Sequence, residues 1–514
     1  MSTNTAIELI KKGFLTPILS LKLRYVPLLM IYFAYGAQAV VGVGLTFWEK
    51  EFLTLSAEKL VAIGVWVSLP FTIKMVFGQL VDIVPIFGSR RRAWVFLGAA
   101  LMALGYLMLY GMATESVYMQ WMGSQFNMYL FSQIIMVTGF MIQDVTADAM
   151  TVEVVDRDQE DSKVKSELAM VQVLGRLALM IASAVTGLIG GYLAGAYSYE
   201  TVFLMGLCVP VISVIGAILV NLDVKDTDNS VHLSPIIFGG GLAFAVFSAI
   251  IGFADLDYSQ ELTFIVLFSL ICLMLKSLLK GQNPALVKSI IYTFAALFIF
   301  RAMPAIGPGY SWWSIDVLGF DQDFFGVLRG YGGFAAIIVL WFASDFIANK
   351  PIRTVFIFLI ILGFLFSLPD LALYHGVHEA LGISPRTIAL LDTVAESPLV
   401  HLSMVPLLAM IAYYAPDGQR ATWFAVSASL MNLATTAGAL FTKYLNKLFV
   451  ISREIKNEEG VITTPEDYSE LGVLMWTVIL VSLIVPFIAV SSLLKEKELK
   501  TPGQKTAERV SDSA

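Results

Sequence analysis

The chain is built from apolar runs long enough to cross a bilayer, and no soluble fold can bury so many of them. About 20 consecutive apolar residues span a hydrocarbon core roughly 30 Å thick. Runs of that order lie near 25–48, 59–81, 93–113, 126–154, 167–195 and 200–222. After the polar break NLDVKDTDNSVH, two shorter ones lie near 234–253 and 262–279. Six more follow near 285–303, 324–346, 353–374, 390–415, 420–447 and 472–494, giving about 14 spans. Hydrophobic residues make up 57% of the 514 and charged residues 14%, against about 25% charged in soluble domains. In lipid every backbone polar group must be bonded within the protein, so the expected class is an all-α polytopic membrane protein. The first run is too long for a signal-peptide core and reads as an uncleaved helix.

Loop charges orient the spans. With the N-terminus inside, the inner segments hold Arg90–Arg92, Arg157, Lys163, Lys165, Lys225, Lys276, Lys280, Lys288, Lys350, Arg353 and Arg420. The loops ESVYMQWMGSQ, ADLDYSQE and GPGYSWWSIDVLGFDQD, expected outside, carry no Lys or Arg. This is the positive-inside pattern, and it places both termini in the cytoplasm and the chain in the cell membrane. Lys50, Lys59, Arg386 and the outer loop SREIKNEEG depart from it. Cys208 and Cys272 both sit in apolar runs, which excludes a disulfide framework and a thiolate metal site.

Two segments repeat. GQLVDIVPIFGSRRR places Asp82 eight residues before Arg90, and WFASDFIANKPIR places Asp345 eight residues before Arg353. Each ends the second helix of a set of six. The chain therefore divides into an N-terminal tail (1–24), a six-helix bundle (25–222), a linker with two extra helices (223–284), a second bundle (285–496) and a polar tail (497–514).

The second constraint is charge inside the spans. Asp144 and Asp148 follow the apolar stretch MYLFSQIIMVT. An ionisable group at the bilayer centre costs roughly 2.5–3.5 kcal/mol on insertion scales. At about 1.5 Å per residue, Lys74 lies about 12 Å deep, Asp144 about 16 Å and Arg176 about 13 Å. The two aspartates, four residues apart, share a helix face. Two readings stay open: a structural ion-pair cluster, or a carboxylate that changes protonation during transport. The second half echoes the pattern as cation, acids, cation, with Arg329, then Asp392 and Glu396, then Lys443. Arg301 has no counterpart in the first half. The prolines and glycines of RAMPAIGPGY interrupt its helix, which ranks it first among substrate-facing cations.

Other chemistry finds little support. HExxH, GxSxG, a Cys–His pairing and a Walker A sequence are all missing from the chain, which argues against a membrane enzyme and against direct use of ATP. His375 and His378 in HGVH lack further ligands for a metal. Trp312 and Trp313 read as interfacial anchors, with stacking on a flat ligand the alternative. The glycines of GLIGGYLAG (Gly187, Gly190, Gly191, Gly195) fit close helix packing.

Four stretches resemble the folate–biopterin transporter family of the major facilitator superfamily. The loop GQLVDIVPIFGSRRR supplies Gly78, Asp82, Gly88, Arg90, Arg91 and Arg92, with VPIF as an insertion relative to the commoner superfamily form. QDVTADAMTVEVV matches the family's fourth-helix motif, though Val155 and Asp156 stand where a basic residue often ends it. PAIGPGYSWWSIDVLGFDQDFFGVLRG is the third stretch. The fourth is PLLAMIAYYAPDGQRATWFAVSASLMNLATTAGAL, with Pro416, Gly418, Ala421, Thr422, Phe424 and Ala425. The helical pair at 234–279 is outside the family pattern.

The resemblance implies a major facilitator fold of two six-helix bundles and a proton-driven carrier for folate, pterin or a related anionic heterocycle. Charge within the spans makes Lys74, Asp144, Asp148, Arg176, Arg301, Arg329, Asp392 and Glu396 the candidates for proton coupling and substrate in such a carrier. The resemblance also implies a gating role for Gly78, Asp82, Gly88, Arg90, Arg91 and Arg92, with Asp345 and Arg353 as the second-half equivalents. A folate- or pterin-like molecule, protons and the lipid bilayer are the expected partners of a monomer. No nucleic acid, cofactor or metal is implied. Muropeptide permeases and acetyl-CoA transporters share a similar "QD…DA" motif, so those substrates remain alternatives.

Overall fold

The computed structural model describes residues 19–89, 91–155, 161–219, 235–253, 258–348, 350–413, 420–456 and 461–494. Fourteen long helices follow in order, and among the described residues twelve are long and apolar enough to cross a membrane. In the first half they are α1 (Leu23–Phe52), α2 (Ala57–Ile83), α3 (Arg92–Ala113), α4 (Gln125–Glu153), α5 (Asp161–Ala196) and α6 (Tyr199–Leu219). The extra pair is α7 (Pro235–Phe253) and α8 (Ser259–Leu278). In the second half, α9 runs over Pro284–Arg301 and resumes over Gly309–Asp316. It is followed by α10 (Gln322–Ala348), α11 (Ile352–Tyr374), α12 (Pro385–Tyr413), α13 (Arg420–Leu448) and α14 (Leu471–Leu493). A short hairpin, β1 (Ile455–Lys456) and β2 (Ile462–Thr464), lies between the last two helices. The polar stretches 220–234 and 495–514, and Arg90, Pro416 and Gly418, lie outside the described residues.

Local chemistry sets the ends and the interruptions. Ser56 and Ser124 cap α2 and α4 through their hydroxyls, and Asn283 caps α9 ahead of Pro284. Pro70 lies inside α2, and three residues later Ile73 leaves helical geometry. The helix resumes at Lys74.

The first six helices form one bundle, with α1 packed on α5 and α6, and α3 on α4. The last six form the other, in which α10 packs on α12, and α14 on α9 and α11. The halves meet along α5–α10 and α2–α13. The second helix of each half thus packs on the fifth helix of the other, as a two-fold repeat requires. A Cβ on Gly191 would stand 2.5 Å from the Gly326 backbone, so the α5–α10 crossing depends on glycine. The extra pair packs outside this seam, α7 against α2 and α8 against α13.

Candidate functional site

The interrupted α2 delivers Lys74 to the middle of the first bundle. Its ammonium donates to Asp144 Oδ2 at 2.6 Å and Asp148 Oδ2 at 2.7 Å, both on α4. The Tyr32 hydroxyl on α1 donates to Asp148 Oδ1 at 2.8 Å. Asp144 is the more enclosed carboxylate, with 13% of its side chain exposed against 40% for Asp148. Arg176 on α5 acts on Asp144 through space but hydrogen-bonds to neither aspartate among the described residues. It is exposed and also acts electrostatically on His401 of α12 in the other half. Arg329 and Glu396 are exposed as well. Charged groups within membrane spans favour surfaces that face other helices or water over surfaces that face lipid.

The second half does not repeat the cluster. Arg329 turns away from α12 and donates to Gly42 O and Thr46 Oγ1 on α1, each at 3.2 Å. Lys443 is held outward by the extra pair, donating to Glu261 at 2.5 Å and Gln260 at 3.1 Å. The expected cation–acids–cation arrangement therefore fails, because the two cations are bonded to other helices. Asp392 lies within α12 rather than near a loop, and is 6% exposed. Its neighbours in charge are Glu396 and Asp370. Asp370, on α11, accepts a 2.6 Å hydrogen bond from Tyr310.

Arg301 ends the first segment of α9. Its guanidinium donates to Met431 O at 3.4 Å, Met404 Sδ at 2.9 Å and Thr435 Oγ1 at 3.3 Å. No carboxylate pairs with it among the described residues. The non-helical backbone beyond it is satisfied by α13: Ala305 N–H donates to Thr442 Oγ1, and Asn446 Nδ2 donates to Ile306 O. Thus α13 satisfies part of the backbone that the helix break frees, as a break at membrane depth requires.

At the end of the first bundle that carries the repeated loop, Arg91 pairs with Asp82 at 3.0 Å and with Glu153 at 2.6 Å. It also donates to Val81 O. Arg92 donates to Ala217 O at the end of α6. Gly88 has φ +77°, which turns the loop, while Gly78 faces Val145 of α4. Among the described residues it is Arg91 that bonds Asp82, with Glu153 as an unforeseen partner, and Arg90 lies outside them. These bonds stay inside one bundle. Asp345 lies near the end of α10 and Arg353 at the start of α11; the Asp345 side chain lies outside the described residues. Nearby, burial pushes the Glu167 carboxyl up, but donors from Lys22, Tyr25 and Arg24 outweigh it and hold the group at about 2.

Bonds between the halves include Ser68–Thr436 at 2.7 Å and Asn432 Nδ2 to Phe71 O at 2.9 Å. Toward the end opposite the Asp82 loop, Lys50 pairs with Asp316 at 2.5 Å. There Arg453, 2% exposed, donates to Glu49 O and Leu55 O. Its guanidinium lies 4.6 Å from the Trp312 ring centroid. Trp312 and Trp313 are 2% and 5% exposed, so they belong to the core rather than to an interfacial belt. Sequence reasoning missed Asp370, Tyr310, Glu153 and Arg453. Asp370 carried the signal that had flagged Asp144, an acid inside a spanning run. Arg453 was hidden in a loop that looked solvated.

Two bundles that meet along a seam of paired second and fifth helices define a helical membrane protein of the major facilitator fold. A POT family transporter, solved in complex with a thioalcohol-conjugated peptide, superposes with a TM-score of 0.61 over 91% of this chain and 96% of its own, at 12% identity. The family model for the BT1 family matches residues 36–511, and the chain belongs to that family. A "Folate-biopterin transporter" of Synechocystis sp. is 25% identical over 81% of this chain and 74% of its own. "Probable folate-biopterin transporter 4" of Arabidopsis thaliana is 22% identical over 82% and 88%. The resemblance carried by the four motifs therefore holds.

Proposed function

We propose that this protein is a proton-coupled carrier of folate, pterin or a related anionic heterocycle, working by alternating access. The observation that carries this reading is Arg301: a guanidinium at a broken helix, held only by neutral groups. A half-buried cation without a carboxylate suits an anionic ligand. A folate-like molecule offers a glutamyl tail to such a group. Its pterin edge presents an amino group and a ring N–H, which one carboxylate can accept together. The names of the relatives point the same way.

Asp148, the more open member of the first-bundle pair, is the carboxylate that exchanges a proton, with Lys74 competing for it. Loop charges favour cytoplasmic termini in a cell membrane. The Lys50–Asp316 and Arg453 bridges then close the outer side. The end of the Asp82 loop would open inward.

Uptake of labelled folic acid and a reduced pterin into proteoliposomes tests this. An inward proton gradient is expected to raise uptake, unlabelled pterin to compete, and Asp148→Asn to abolish the gradient's effect while the protein still inserts. Proton-driven uptake by that variant would sink the assignment to Asp148. No uptake by oriented wild-type protein would shift the substrate to another large anion.

A further inference from the structure

The first-bundle pair is not the only embedded acid group. Asp370 of α11 is bonded by Tyr310 of α9, and Asp392 and Glu396 of α12 lie within reach of its charge. Asp392 Oδ1 is buried and has no hydrogen-bond partner, and the residue as a whole is 6% exposed. Glu396 lies one turn along the same face and is exposed. The Tyr310 hydroxyl, 2.6 Å from Asp370, fixes the third carboxyl.

Among the described residues, most cations of the surrounding helices are bonded elsewhere, and Lys447, at the end of α13, is exposed. Arg301 is bonded to α12 and α13 through neutral atoms, Arg329 to α1, and Lys443 to Glu261. Arg386, at the start of α12, pairs with Asp321 at 2.7 Å. His401 answers to Arg176, and α14 contains no ionisable residue. Arg353 begins α11 at the end away from Asp370. His375 and His378 lie beyond the last turn of α11.

Carboxyls within reach of one another's charge and without a paired cation favour a shared proton or a bound cation. Yet no three His, Cys, Asp or Glu side chains among the described residues come close enough to ligate one ion. We propose that Asp370, Asp392 and Glu396 form a second proton-binding site, in which an exchangeable proton passes between exposed Glu396 and buried Asp392 while Tyr310 holds Asp370. Binding and release are a simple proton transfer between water and carboxylate. The proposal deepens the proton-coupled reading above, on which only its transport arm rests.

Two measurements test it. Infrared spectra of the purified protein in H2O and D2O are expected to show a protonated-carboxyl band near neutral pH. That band should shrink on alkalinisation, be reduced in Asp392→Asn and Glu396→Gln, and return in Asp392→Glu. In proteoliposomes, Asp392→Asn is expected to lose gradient-driven folic acid accumulation several-fold, with a much smaller loss of exchange between equal pools. A band that ignores both substitutions and pH would overturn the proposal. So would accumulation by Asp392→Asn equal to the wild type, or binding of labelled sodium that depends on Asp392. If wild-type protein transports no folate, the substrate reading fails, and the infrared arm still decides this one.

Discussion

In the first bundle one ammonium reaches two carboxylates, at 2.6 and 2.7 Å. In the second, Asp392 and Glu396 have no cation partner among the described residues, and Asp370 answers to a tyrosine hydroxyl. The two bundles share an architecture, down to the reciprocal packing of second and fifth helices. They do not share a charge scheme. A repeat copies the scaffold, because lipid and helix packing constrain every copy alike. The partner of each charge depends on which helix happens to lie across from it. Lys443 sits on the fifth helix of its half, as Arg176 does, yet it is drawn outward by Glu261 of the extra pair.

The contrast can be broken by substitution. Lys74→Ala should have the largest effect, since it leaves two embedded carboxylates uncompensated. A loss of roughly 3 kcal/mol is expected, read as a lowered Tm in detergent, with partial recovery when Asp144→Asn is added. If Lys74→Ala were no more harmful than a change in the second-bundle acids, the first cluster would not be charge-compensated in any meaningful sense. Arg301→Ala should weaken folate binding by about 1.5–3 kcal/mol, the worth of a hydrogen bond to a charged group. Calorimetry would measure it, and Arg301→Lys should recover only part, since ammonium lacks the planar fork.

Smaller effects sharpen the same comparison. Asp392→Asn breaks no ion pair, so its Tm should correspond to a change below about 1 kcal/mol. A fall as deep as that of Lys74→Ala would reveal a hidden cation. Lys50→Ala removes a peripheral bridge between the halves, worth roughly 0.2–1 kcal/mol. Spin labels at the ends of α1 and α9 should then report a larger share of widely separated distances. An unchanged distribution would remove Lys50–Asp316 from the set of closing contacts.

Much of this was legible beforehand. About fourteen spans were expected from hydropathy and twelve meet the length and apolarity of a crossing helix, while the two bundles follow from the repeated aspartate–arginine spacing. The demand for a cation near Asp144 and Asp148 follows from the cost of embedded charge. Three departures from the positive-inside pattern were only half legible. Lys50 and Arg386 turn out to be ion-paired, and Arg453 lies under a tryptophan ring. They are structural charges rather than topology signals, and a one-dimensional charge count has no means of separating the two.

The sequence by itself determined that the chain is a helical membrane protein of two related halves. The period and length of apolar residues act locally, and lipid permits few alternatives to a helix. It also determined which spans carry ionisable groups. Only the tertiary structure decided that Lys74 rather than Arg176 bonds the aspartates, that Arg91 pairs with Glu153, and that Asp370 is bonded by Tyr310. Those pairings depend on how each helix is rotated about its axis and where it is broken. Rotation is set by packing against neighbours remote in the chain, and no local pattern records it.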